Sequence, residues 1–417
     1  MWNGGGGRMT NILKQTQQLE KEFLLPTYDR FAVQFERGEG VYLYDAAGKR
    51  YLDFLSGIGV NALGYGHPAI SSVLHQQADK LIHASNLFYN AYQGKLAQKL
   101  CAISGLDKVF FANTGTEAWE VAIKMTRLYA AKSETPKTKL LAMKNSFHGR
   151  TIGSISTTGQ DKYRKPFEPV MPDVTFVDFN DVADLARKFD DSVAAIMLET
   201  IQGEGGVQPA SKEFLLAARE LTKKTGALLI LDEIQCGLGR TGKWFAYQNY
   251  GVTPDIVTIA KPIAGGLPLG AMLCTNAVAA TMKPGLHGTT FGGGPLACAV
   301  ALEVLNVIES EGLLAKAKAT GDYFAAQLSA LAKKQDCIRN VRGLGLMVAA
   351  ELDSADVAKA TVVAMLEKGF VINRTNEKVL RFLPPFVITT EHLDQLVAAL
   401  GEVLTTCVSR QAENAHA

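Results

Sequence analysis

No apolar run in the 417-residue chain approaches the roughly 18 residues that a membrane-crossing helix needs, so no transmembrane segment is expected. Charge of one sign is also missing. Lys plus Arg number 43 against 41 Asp plus Glu, a net of +2, which leaves no electrostatic footprint for nucleic acid or an anionic membrane surface. The six cysteines (101, 236, 274, 298, 337 and 407) form no C-x-x-C pair, and none of the seven histidines falls in an H-E-x-x-H or other metal spacing, so no metal centre is expected. Stretches such as Met272-Leu273-Cys274 and Leu296-Ala297-Cys298 place the thiols among apolar residues, the pattern of buried free cysteines in a reducing compartment. An apolar signal core is absent from the N-terminus, where Lys14 to Glu22 is polar and Gly4 to Gly7 reads as a flexible leader. A cytoplasmic location is the expectation.

What is present is ordinary globular material, with 47% apolar and 20% charged residues. At about 150 residues per domain the length suggests two or three domains, and no internal repeat or long linker is visible. Short apolar runs recur through the middle: Val109 to Phe111, Leu140 to Met143, Val174 to Phe179, Ala194 to Leu198, Ala227 to Leu231, Ile256 to Ile259 and Ala271 to Cys274. They do not alternate, which suits strands covered on both faces. Between them lie helical patterns. From Glu117 to Lys132, residues Ala118, Val121, Ala122, Met125, Leu128 and Tyr129 follow the i, i+3, i+4, i+7 spacing, and Phe214 to Lys224 is a second case. The expectation is an α/β fold with a mostly parallel central sheet flanked by helices. Strand-like pieces at 41–43 and 51–54, around an Ala46-Ala47-Gly48 turn, and a mixed region from 320 onward suggest a smaller α/β domain built from both ends. The expected division is 1–60 with 319–417 for the small domain and 61–318 for the large one.

Two glycine motifs compete for attention. Gly237-Leu238-Gly239-Arg240-Thr241-Gly242 matches G-x-G-x-x-G, but Lys243 to Tyr247 does not open the helix that a dinucleotide pyrophosphate needs. The same stretch nearly spells a phosphate-binding P-loop, with Trp244 in place of the metal-holding hydroxyl. A nucleotide-binding protein using this loop is the alternative from a different class, and a loop turning away from a strand end is the plainer reading. His67, His148 and His287, each beside proline or glycine, read as loop residues near a site.

Three features fall at the carboxyl ends of predicted strands, where open α/β sheets hold ligands. After Val109 to Phe111 comes Asn113-Thr114-Gly115-Thr116-Glu117, a helix start whose backbone N–H groups can cradle an anion. Ala227 to Leu231 ends in Asp232-Glu233, carboxylates that need a cationic partner if buried. Ile256 to Ile259 runs into Ala260-Lys261-Pro262, a lysine between an apolar strand and a Pro/Gly loop, where burial depresses the amine into Schiff-base reactivity. Each alone has an ordinary structural reading: an N-cap, a salt bridge, a solvated strand-end lysine. Together they match the needs of pyridoxal phosphate: a cradle for its phosphate, a carboxylate for its pyridine nitrogen and an amine for its aldehyde.

These residues carry a resemblance. Over about residues 25 to 400 the chain resembles the class III (fold type I) aminotransferases, nearest in pattern to their acetylornithine-type members, through Gly115-Thr116-Glu117-Ala118, Ser146-Phe147-His148-Gly149-Arg150-Thr151, Ile201-Gln202-Gly203-Glu204-Gly205-Gly206, Asp232-Glu233-Ile234-Gln235, Lys261, His287-Gly288-Thr289-Thr290-Phe291-Gly292-Gly293 and Leu380-Arg381-Phe382-Leu383-Pro384-Pro385. The resemblance implies transfer of the terminal amino group of an N-acylornithine to 2-oxoglutarate. Succinylornithine, ornithine, 4-aminobutyrate and a carrier-linked lysine remain as other donors. It further implies that Lys261 carries the Schiff base and moves the proton, that Asp232 pairs with the pyridine nitrogen, and that Gln235 bonds the ring hydroxyl. Phe147 would stack on the ring, with His148 and Ile234 beside it. Gly115 and Thr116 would hold the phosphate, helped by Thr290 of a neighbouring subunit, so the site would be shared in a homodimer. Arg150, with Thr289, would hold a carboxylate of the amino donor. Glu199 and Arg381 would form a switch pair, the arginine masked by Glu199 until 2-oxoglutarate binds.

The chain departs from the family pattern at Trp119 and Gly294, where asparagine is usual, at Thr200, where proline is usual, and in the loop Pro262-Ile263-Ala264. None of these removes a group the chemistry needs. Trp119, near the phosphate helix, is expected to alter packing around the cradle.

Overall fold

The computed structural model describes residues 5–133 and 137–416. All seven apolar runs become strands of one sheet, in the order Lys108–Ala112, Gly270–Cys274, Ile256–Ile259, Leu228–Asp232, Val193–Glu199, Lys139–Met143 and Val174–Val177. The five strands from Ile256–Ile259 to Val174–Val177 run parallel. Gly270–Cys274 is antiparallel to both of its neighbours. Every residue of the four strands at 193–199, 228–232, 256–259 and 270–274 is buried, which is why no polar alternation shows in their sequence.

The Gly115–Ala130 helix lays Val121, Ala122 and Met125 against the sheet. It begins with a capping box in which the Thr114 side chain accepts from Glu117 N–H while the Glu117 carboxylate accepts from Thr114 N–H. The Lys212–Thr225 helix is capped by Ser211 and stops at Gly226 in the left-handed region. One boundary shifts with consequence: the strand read as ending at Leu231 extends to Asp232, so that carboxylate is part of the sheet.

The chain ends meet. Phe35–Glu39, Tyr42–Asp45 and Arg50–Asp53 form a meander whose last strand pairs in parallel with Phe370–Val371. A second antiparallel sheet joins Ile338–Leu344, Met347–Leu352, Val379–Phe382 and Asn373–Thr375. Both sheets share one apolar cluster, in which the Phe324 ring packs at 6.1 Å from Phe54 and 5.2 Å from Phe382.

Gly5 to Gly7, read from sequence as leader, open a helix spanning Gly5–Phe23, and Gly4 lies outside the described residues. All six cysteines are free; five are buried and Cys101 is partly so. No helix among the described residues is long and apolar enough to cross a membrane. The 237–242 glycine loop has no room for a phosphate. Leu238, Arg240 and Thr241 are buried, and a Cβ on Gly239 or Gly242 would come within 2.8 or 2.6 Å of Phe386 or Lys318. The helix that follows it is the short 3-10 turn Ala246–Asn249. The loop is a packing element that grips the C-terminal sheet.

Candidate active site

Register in the central sheet sets the site. Asp232 sits opposite Glu199 on one side and Thr258 on the other, so the carboxyl ends of three adjacent parallel strands form a row, and Lys261 follows Thr258 by one short turn. Lys261 holds φ at +22°, a backbone region that side-chain-bearing residues rarely occupy. A cavity of about 420 Å³ opens above this row, lined by Lys261, Asp232, Glu199, Gly115, Thr116, Phe147, His148, Ile234, Gln235 and Arg150. Sequence reading had named all ten.

Burial lowers the Lys261 amine to about 8, although Glu204 opposes that shift. Asp232 is held by two donors from opposite sides. Its Oδ1 accepts from Ile234 N–H at 3.0 Å, and its Oδ2 lies 2.8 Å from His148 Nδ1. Burial, with the Asp232 charge next to it, pushes the Glu199 carboxyl up to about 8. The loop from 145 to 151 approaches the phosphate-side helix through Gly149, whose φ is +131° and where a Cβ would fall 2.2 Å from Thr116 Oγ1. That approach gathers hydroxyls at the helix start, with Thr116 Oγ1 at 2.9 Å from Thr151 Oγ1 and 2.7 Å from Ser154 Oγ.

Arg150 stands at the cavity wall with its guanidinium 4.0 Å from the Tyr163 ring centre and 5.6 Å from that of Phe147. The two rings meet edge to face at 5.7 Å. Aromatic faces hold the planar cation while leaving its N–H edge free for a carboxylate. Tyr163 was not legible as a site residue, because nothing in its surrounding sequence marks it.

The expected pairing of Arg381 with Glu199 is corrected by the structure. Arg381, 1% exposed, donates from Nη1 to Glu204 Oε1 at 2.5 Å and to Gln235 Oε1 at 3.2 Å, and from Nε to Asn373 Oδ1 at 3.2 Å. Glu199 instead accepts from the backbone N–H groups of Phe147 and Gly203, both at 3.0 Å. The physical reason is reach: Glu199 ends a central strand and is drawn to the nearest free amides, whereas Glu204 stands on a glycine turn that leads to the C-terminal sheet. Partial burial raises the Glu204 carboxyl, but the Arg381 charge wins and holds it below its ordinary value. An acid inside Gly203-Glu204-Gly205-Gly206 was the signal that could have found it.

Thr289 and Thr290 are not brought into this cavity. Thr289 Oγ1 accepts from Gly292 N–H at 3.2 Å and from Asn113 Nδ2 at 3.3 Å, and Thr290 is exposed.

An amine, a carboxylate and a helix N-terminus converging on one cavity fit pyridoxal phosphate group for group. The chain matches the family Aminotransferase class-III over residues 24–404 and belongs to it. It is therefore a pyridoxal-phosphate-dependent aminotransferase. Among its relatives, an acetylornithine aminotransferase from Methanocaldococcus jannaschii is 47% identical over 390 residues, covering 93% of this chain and 97% of that one. An ornithine aminotransferase from Toxoplasma gondii superposes with a TM-score of 0.91 at 32% identity, over 98% of this chain and 100% of that one. The N-acetylornithine aminotransferase of Stenotrophomonas maltophilia superposes at 0.81 with 35% identity, over 94% and 99%.

Proposed function

We propose that this chain transfers the terminal amino group of N-acetylornithine to 2-oxoglutarate, giving N-acetylglutamate 5-semialdehyde and glutamate, a step of arginine biosynthesis. The observation that carries the reading is Arg150, fixed on two aromatic faces at the wall of the cavity that holds Lys261 and Asp232. A donor whose carboxylate lies far from its reacting amine spans from one to the other.

When bound, pyridoxal phosphate supplies an electrophilic aldehyde and an electron-withdrawing ring. Lys261 Nζ would be the amine for that aldehyde and, when free, the base that takes the proton from the substrate's reacting carbon. Depressed to about 8, it serves both ends of that exchange near neutral pH. Asp232 would pair with the ring nitrogen, and Gln235 with the ring hydroxyl. Phe147 would cover a ring face, flanked by His148 and Ile234. Gly115 and Thr116 would hold the phosphate at the helix start. Arg150 takes the donor's carboxylate, a role that Thr289, outside the cavity of the single chain, does not share. Arg381 recognises the α-carboxylate of 2-oxoglutarate once Glu204 releases it, a bidentate contact suited to a dicarboxylate. Glu199, tied to Phe147 N–H, fixes the loop that carries Phe147, His148 and Arg150.

The active form is a cytoplasmic homodimer with shared sites, in which Thr290 of one protomer completes the phosphate site of the other. What supports this is an apolar surface. Leu87, Phe88, Tyr89 and Phe291 are 87%, 71%, 108% and 66% exposed in the single chain. Their segments are tied together by Asn86, which donates to the Thr289 and Gly292 carbonyls, both at 3.0 Å. A patch of that kind marks an association face, and Thr290 lies in the same loop. Residues 61–318 are taken as the cofactor-binding unit, and 1–60 with 319–417 as the unit that brings Arg381.

The test is a panel of donors (acetylornithine, succinylornithine, ornithine, 4-aminobutyrate) against 2-oxoglutarate, ranked by kcat/KM. Acetylornithine should lead, and Arg150→Ala should cost it more than it costs 4-aminobutyrate. Ornithine or 4-aminobutyrate in first place would overturn the substrate reading.

A further inference from the structure

Trp119 stands where the family usually carries asparagine, and it is fully buried in the second turn of the phosphate-side helix. Its indole N–H donates to Thr157 Oγ1 at 2.8 Å, which fixes the ring's rotation. Its face lies against the imidazole of His148, with ring centres 3.9 Å apart and planes 8° from parallel. His148 in turn contacts Asp232 through Nδ1, while its Nε2 is buried with no hydrogen-bond partner among the described residues. Only one edge of the imidazole is anchored, and its outer torsion is soft and broad. The indole is the group that flattens that torsion to one plane.

The orphaned Nε2 decides the tautomer. A hydrogen there would be a buried donor with nothing to accept it, whereas a hydrogen on Nδ1 points at the carboxylate. The stack therefore holds a ring whose proton sits on Nδ1 and whose bare nitrogen is sealed from water. That proton occupies Asp232 Oδ2, and Ile234 N–H occupies Oδ1, so the carboxylate has no freedom to turn away from the cavity. A side chain as small as asparagine would leave the imidazole free to tilt into the vacated space.

We propose that Trp119 is a positioning residue for the cofactor: by stacking on His148 it keeps the ring in the plane in which Nδ1–H meets Asp232 and thereby holds Asp232 in place for the pyridine nitrogen. The chain's departure from its family at this position is then a tuning element of the cofactor site, acting through two residues and touching no substrate.

The experiment compares wild type, Trp119→Phe and Trp119→Asn by three readouts. These are the ¹⁵N shifts of His148 in apoenzyme labelled at histidine, the dissociation constant of pyridoxal phosphate from that apoenzyme, and the separate values of kcat and KM for acetylornithine. Trp119→Phe keeps an aromatic face and should leave the Nδ1–H signature intact, with cofactor affinity within about twofold of wild type. Trp119→Asn should show mixed tautomers, weaken cofactor binding about tenfold, the usual scale for losing an outer-shell support, and lower kcat with KM little changed. Should the asparagine variant not fold, Trp119→Leu, which fills much of the space without an aromatic face, takes its place with the same expectation. Wild-type His148 shifts and cofactor affinity in the asparagine or leucine variant would overturn the proposal. So would a loss of melting temperature in both variants without any change at His148, since that is packing alone.

Discussion

Arg381 Nη1 lies 2.5 Å from Glu204 Oε1, with the guanidinium withdrawn from bulk water and the carboxylate partly exposed. A cation already holding a carboxylate is the state in which a donor lacking an α-carboxylate near the reacting amine can bind without meeting a bare guanidinium. Glu204→Gln removes the mask. Glutamate should then improve as amino donor by roughly tenfold relative to acetylornithine in kcat/KM, about 1.4 kcal/mol of competition removed from Arg381. Because the guanidinium would be left buried with only neutral partners, a fall in apoenzyme melting temperature should accompany the change. Glu199→Gln, which touches no cation, should leave the ratio of the two donors as it is. A shifted ratio in the Glu199 variant alone would restore the pairing read from sequence.

That pairing shows where sequence stops. Lys261, Asp232 and Gly115 were legible because each stands at the end of an apolar strand, and strand ends in a parallel sheet converge by topology. Glu199 also ends such a strand and lines the cavity. The partner of Arg381 was not legible, since whether a carboxylate reaches it depends on how the 201–206 turn and the Val379–Phe382 strand approach each other, with Glu204 and Arg381 177 positions apart. Trp119 was visible as an unusual residue near the cradle. That it faces His148 follows from the loop crossing at Gly149, which no periodicity reports. Tyr163 under Arg150 had no local signal at all.

Lys261 should titrate as a buried amine. With its value lowered to about 8, about one amine in ten is neutral at pH 7, against roughly one in three thousand for an ordinary lysine. The rate at which apoenzyme captures pyridoxal phosphate should rise with pH and level off above a midpoint near 8. Glu204→Gln removes a charge that raises the amine, so its midpoint should move lower. A wild-type midpoint above about 9.5 would mean that the amine is solvated. Lys261→Ala should fold, retain weak cofactor binding and lose turnover.

A shared site predicts complementation. Lys261→Ala and Thr290→Glu should each be inactive, the second because its carboxylate repels the phosphate. Mixed under conditions of subunit exchange, one site in each hybrid dimer regains both Lys261 and Thr290. Random exchange then restores roughly a quarter of wild-type activity, since half the dimers are hybrids and half of their sites are intact. Sites contained within single protomers would recover nothing on mixing.

Arg240 gives the fold its own test. It leaves the glycine loop to donate from Nη1 to the Pro384 carbonyl at 2.6 Å and the Leu346 carbonyl at 3.2 Å, with its cation 4.9 Å from the Phe386 ring centre. Burial depresses it to about 9, opposed by the charge of Asp53. Asp53 is itself raised by burial, and its proton affinity is held down by Tyr65 O–H, the N–H groups of Leu55 and Ser56, and Arg240. Arg240→Met should cost about 3 kcal/mol at pH 8, the scale of leaving the buried Leu346 and Pro384 carbonyls without their charged donor. The sign of its pH dependence follows from Asp53. Without the arginine, the folded carboxyl sits further above its unfolded value, so the folded chain binds a proton that the unfolded chain has lost. Stability then falls as pH rises through that window and recovers as pH drops toward the unfolded value. The variant should therefore be closer to wild type at pH 5 than at pH 8 in urea denaturation. Adding Asp53→Asn should flatten that dependence and return part of the loss. A deficit that is equal at both pH values would show that Arg240 contributes packing and carbonyl contacts only, with Asp53 indifferent to it.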